Sequence, residues 1–163
     1  MFRRSRNKKA SSAADTLQDR GAQTPEIVFD VAWGGWYTQQ DEDGSWGVFR
    51  LLDFNREAYH SMLFRDRFDE LPSFEQTVGL APLIQHVPIA AGQLVNFPAA
   101  LLGQMPLSLD DLGGYATYLE HARGMPDVDR SPFLDRLVEF STQPPLAFRM
   151  SVGPDGELNV SEA

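Results

Sequence analysis

The chain has 163 residues, 42% of them hydrophobic, 11% aromatic and none cysteine, which is one domain of ordinary soluble composition without disulfides, thiolate zinc sites or a cysteine nucleophile. Its formal charge of −9 at pH 7 hides a split. Residues 1–9 carry five positive charges and no negative one, whereas residues 26–163 hold 8 Arg, no Lys and 21 Asp plus Glu, a net of −13.

Residues 1–25 are polar, rich in Ser, Ala, Gln and Arg, and show no sustained apolar period. They are expected to be a disordered basic arm, followed by a single acidic domain over 26–163. The arm lacks the apolar core of a signal peptide, so a cytoplasmic location is expected. Apart from Lys8 and Lys9 every basic residue is Arg, a usage that resembles GC-rich bacterial genomes.

Residues 27–33 are β-branched and aromatic and read as a strand. Gly34-Gly35 interrupts it as a bend or bulge would, and residues 36–40 resume it. Residues 41–45, Asp-Glu-Asp-Gly-Ser, form a turn with the Asp-Gly hairpin cue. Residues 46–54 should pair back antiparallel, and 55–57 turn again. Residues 59–64 then make a third strand, with His60, Met62 and Phe64 on one face and Tyr59, Ser61 and Leu63 on the other.

Ser73 and Gln76 form a capping box for a short helix over 73–80. Residues 83–89 read as an edge strand because Pro88 cannot donate to a ladder, and residues 97–104 as a helical turn or two. Residues 109–122 make the strongest helix: Ser108 and Asp111 cap it, and Leu109, Leu112, Tyr115, Ala116, Leu119 and Ala122 share one face. Gly113-Gly114 weakens it by roughly 1 kcal/mol per glycine relative to alanine. A last helix starts at Ser131-Pro132 and runs to about Ser141. Residues 146–152 and 157–160 form a closing hairpin around Pro154-Asp155-Gly156. Grouped strands and grouped helices predict an α+β fold. Its mainly antiparallel sheet is expected to hold an N-terminal three-stranded meander and a C-terminal hairpin, with two or three helices packed on one side.

Most familiar chemical motifs are missing. No glycine-rich phosphate loop follows Gly34-Gly35, and no Gly-x-Ser-x-Gly elbow occurs. Residues 127–138 imitate the start of a calcium loop, but Pro132 stands where glycine is required and Val138 where glutamate is required. His60, His86 and His121 have no metal-ligand spacing. No cofactor, metal or catalytic residue is therefore assigned. His60 and His86 fall on two expected strands and become neighbours if those strands pair, near Asp53 or Glu57.

Charge carries the functional expectation. A body of net −13 repels phosphates, so no nucleic acid is expected on the folded domain. No apolar run reaches the roughly 18–20 residues of a membrane span. An acidic, lysine-free α+β domain suits capture of a basic protein partner. Bacterial immunity proteins that neutralise basic toxins, and secretion chaperones, share that general character. The expected contacts are the turn Asp41, Glu42 and Asp43, the segment with Asp66, Asp69 and Glu70, and the aromatics Trp36 and Trp46 as exposed anchors. The alternative is a small hydrolase or ligand-binding enzyme using His60 or His86 with Asp53.

Overall fold

A computed structural model describes residues 25–128 and 132–163. The basic arm, apart from Pro25, and the expected helix cap at Ser131 lie outside the described residues. Among the described residues eight strands form two antiparallel sheets. The larger is ordered β5-β4-β3-β2-β6, with β2 Gly35–Gln40, β3 Trp46–Phe54, β4 Ala58–Phe64, β5 Pro82–Ala90 and β6 Ala100–Gln104. The smaller is ordered β1-β7-β8, with β1 Glu26–Val31, β7 Leu146–Val152 and β8 Leu158–Glu162. The helices are α1 Phe74–Thr77, α2 Gly92–Asn96, α3 Gly113–Ala122 and α4 Pro132–Phe140. The fold is α+β.

The larger sheet is the middle layer. One face packs on the smaller sheet through Tyr37, Phe49, Leu51, Phe54 and Tyr59 against Phe29, Val31, Phe148 and Met150, with Leu94 and Val95 of α2 closing one end. The other face packs on α3 and α4 through Trp36, Val48, Leu52, Met62 and Phe64 against Tyr115, Leu119, Leu134 and Leu137. Strand alternation therefore sends one set of side chains into each core, with the β4 faces as expected. Among the described residues no helix is long and apolar enough to cross a membrane.

Two expectations change. Residues 26–31 do not join the meander. The chain changes sheets at Gly34-Gly35, and β1 pairs with β7. Gly34 sits at φ 75° with its N–H on the Leu51 carbonyl, and a Cβ there would stand 2.2 Å from the Met105 carbonyl oxygen; only glycine fits that crossing. Residues 97–104 hold β6, not helical turns, because Ala100–Gln104 completes the sheet beside β2. The helices expected on one side are there, α3 and α4 against Trp36, Val48, Leu52, Met62 and Phe64, and α2 is an addition that closes the end of the other core.

The capping predictions hold in two places. Ser73 and Gln76 close the box at α1. Ser108 and Asp111 exchange both bonds as well. They initiate a turn over residues 109–112, so the α-helix itself starts later, at Gly113.

Candidate functional site

Two regions gather the chemistry. The first is an acidic rim on the β2–β3 hairpin. Gly44 at φ 86° makes the turn, and the Asp43 carboxylate accepts from the Ser45 hydroxyl at 2.7 Å and the Ser45 amide at 2.9 Å. Those bonds hold the Asp43 carboxyl below the usual range. Trp46 pairs with Phe68 through two backbone hydrogen bonds of 2.8 and 3.0 Å. That bridge lays the segment carrying Asp66, Asp69 and Glu70 beside Asp41, Glu42 and Asp43, and all six are exposed. Arg67 lies over Gly47 and pairs with Asp41 at 3.1 Å, so the rim is acidic with a basic stitch. A cleft of about 360 Å3 opens next to it, lined by Gln39, Asp41, Glu42, Tyr59, Gln93 and Phe97 among others.

Of the expected partner contacts, only Trp36 falls away from this surface. It is 4% exposed and packs under the helices against Phe64, with Arg50 over its ring at 5.4 Å. It alternates with Tyr37 on a strand buried on both faces, which its sequence neighbourhood did not disclose. Trp46 is half-buried at the bridge.

The second region is a polar network under α3. In the β3–β4 ladder Leu51 faces Ser61, while Asp53 faces His60. Leu52 is the extra residue of a bulge. The bulge turns Asp53 away from the sheet–sheet core and onto the helix side. There its carboxylate accepts from Trp33 Nε1 at 3.0 Å, the Phe54 amide at 2.8 Å and the Tyr115 hydroxyl at 2.8 Å. Burial, and then the Asp53 charge, push the Tyr115 phenol far up, so it stays a donor.

His60 and His86 do converge, as the pairing of β4 with β5 allows. Nδ1 of His60 lies 2.9 Å from Nε2 of His86. The ring planes differ by 17° with centroids 5.2 Å apart, a separation that exceeds the nitrogen contact by about one ring width. The contact is therefore edge to edge, nitrogen lone pair to N–H, and not face to face. Two ring nitrogens aimed at one another do not converge on a shared metal, as chelating imidazoles must. Tyr115 lies over His60 at 4.5 Å between centroids and Tyr118 over His86 at 4.6 Å.

The tautomers follow from Asn55. Its Oδ1 accepts from the amides of Glu57 at 3.2 Å and Ala58 at 2.8 Å. Its Nδ2 therefore faces His60 Nε2, at 3.4 Å, and this ring nitrogen must be the acceptor. The His60 proton sits on Nδ1 and is donated to His86 Nε2, which leaves the His86 proton on Nδ1. Burial favours these neutral rings. It lowers His60, with Asp53 opposing and Arg123 reinforcing, and it lowers His86 to about 4, with His60 adding to the effect.

The sequence made His60 and His86 neighbours only if their strands paired, near Asp53 or Glu57; β4 and β5 do pair, and Asp53 faces His60 across the β3–β4 ladder. Sequence reasoning missed Tyr115 and Tyr118, whose three-residue spacing on α3 was a usable signal, and Asn55, which read only as a turn residue. Among the described residues Asp53 makes no hydrogen bond to either imidazole, and no group of three or more metal-ligating side chains assembles. Set against known protein families, curated proteins and solved structures, the chain matches none of them, so its function has to be read from the chemistry of these two regions.

Proposed function

We propose that this chain is a non-enzymatic binding module that captures a basic protein partner, as a bacterial immunity protein or a secretion chaperone does. The observation that carries the reading is the Trp46–Phe68 bridge, which joins two acidic segments distant in sequence into one rim. The cleft beside it offers carboxylates from Asp41 and Glu42, side-chain amides, and the half-exposed ring of Phe97. That combination suits the long apolar stem and charged head of Arg or Lys. Six clustered carboxylates also steer a basic partner to the rim before contact.

The test is to immobilise the full chain and present it with a native lysate and with purified basic proteins, at low and high salt. The reading expects a stoichiometric basic protein, released by salt and not bound by the D41N/E42Q/D43N variant. No retention at either salt, or equal retention by the variant, sinks it.

A second reading, a small hydrolase or ligand-binding enzyme, is favoured by the 2.9 Å contact of His60 with His86. It is the weaker one. The carboxylate expected to orient the imidazole is committed elsewhere, since the Asp53 oxygens go to Trp33, Phe54 and Tyr115. Its check is loss, in His86→Ala, of any hydrolysis detected with an ester and amide panel.

A further inference from the structure

We propose that the His60–His86 pair is an acid-sensing latch, in which a proton taken up at His86 on the sheet edge releases the β3–β4 turn through His60 and Asn55. The chain of hydrogen bonds has one polarity. Asn55 Nδ2 donates to His60 Nε2, and His60 Nδ1–H donates to His86 Nε2. The free lone pair of each ring is thus already used to accept. His86 is half-buried on edge strand β5, whereas His60 is 1% exposed. The proton therefore arrives at His86.

Once His86 carries a proton on both nitrogens, its Nε2–H meets the N–H of His60. The contact survives only if His60 moves its own proton to Nε2. That N–H then meets the amide protons of Asn55, which must turn. Turning takes Asn55 Oδ1 off the amides of Glu57 and Ala58. The turn they hold is one that leaves readily. Arg56 within it sits at φ 71°, a left-handed conformation that a non-glycine residue keeps only while its surroundings hold it. The Glu57 carbonyl also accepts from the Ala91 amide at 2.8 Å, which ties the same turn to the start of α2.

The groups facing the pair are few. Asp53 on β3 favours a charged imidazole and Arg123 at the end of α3 disfavours it. Tyr115 and Tyr118 cover the rings from α3. The fold prefers both rings neutral, so the unfolded chain binds protons first as pH falls. The contribution of the pair is complete above about pH 6.5. It declines as pH drops toward the His86 value of about 4.

The test uses the intact chain with 15N-labelled histidine and backbone amides. At pH 7.5 both rings should show protonated Nδ1 and bare Nε2. From pH 7.5 to 5 the protection of the Glu57 and Ala58 amides should fall about tenfold or more beyond the intrinsic pH dependence of exchange. In His86→Gln, whose side-chain oxygen still accepts from His60 but takes no proton, that fall should be absent, and in the His121→Gln control it should persist. An Nε2-protonated tautomer on either ring at pH 7.5 overturns the latch. So does unchanged protection of Glu57 and Ala58 down to pH 5. If His86→Gln does not fold, these two wild-type measurements decide the question alone.

Discussion

The two faces of the five-stranded sheet are both buried, yet they are closed by different physics. Toward the smaller sheet the contacts are rings and aliphatic chains: Tyr37 on Phe49, Phe49 on Tyr59, Phe54 on Phe148. Tyr37 brings a hydroxyl, which accepts from the Ala32 amide and donates to the Asp30 carbonyl. Toward the helices the same sheet buries Arg50, Asp53 and His60. The first face needs shape and volume. The second needs partners for its buried charges, because an unpaired buried charge is expensive. Between the two cores, pH sensitivity is therefore expected on the helix side.

Substitutions separate the faces. Asp53→Ala should have the largest effect. It orphans three donors at once, and destabilisation of about 4 kcal/mol by urea unfolding is expected. Leu51→Ala on the apolar face should cost about 3 kcal/mol through lost burial and a cavity, with the same penalty at pH 7.5 and 5.5. A strong pH dependence of that penalty would merge the two faces into one. Tyr115→Phe removes a single bond to a carboxylate and should cost about 2 kcal/mol, leaving the Leu51 side unchanged in a double-mutant cycle.

Gly114→Ala sharpens the comparison further. In an ordinary helix the change stabilises by roughly 1 kcal/mol. Here a Cβ would stand 2.9 Å from the Gln85 Cβ and 3.3 Å from that of His86, so α3 must lift off β5. A net loss of about 1 kcal/mol is expected, and a gain would show that this corner is loose. The smallest effect belongs to D41N/E42Q/D43N. Those carboxylates are exposed and their Arg67 and Ser45 contacts lie in solvent, so the denaturant midpoint should move only slightly while partner binding is lost.

Arg50 shows why the helix side is hard to read in advance. On the sequence it is one arginine inside an apolar run, 46–54. In the fold its guanidinium pairs with Asp111 at 3.2 Å and donates to the carbonyls of Met105 and Pro106. It thereby fixes the loop leading into α3. Those three partners lie 55 to 61 residues away, beyond any local pattern. The Leu52 bulge is equally silent, since nothing local to 46–54 marks which residue is extra. Yet it decides that Asp53 faces Tyr115 rather than Phe148.

What local physics controls was legible. Alternation in 59–64, Pro88 at an edge, the boxes at Ser73 and Ser108, the Asp-Gly turn and the closing hairpin each depend on residues a few positions apart. The charge split and the missing cysteines needed only counting. The assignment of β1 to a second sheet, β6 in place of helical turns, the burial of Trp36 and the meeting of the two acidic segments rest on contacts between residues far apart. Such contacts are chosen by which faces bury the most apolar area together with the fewest unpaired polar groups. That choice is a property of the whole chain, and it placed His60 against His86 with Asn55 setting the direction of their shared hydrogen bond.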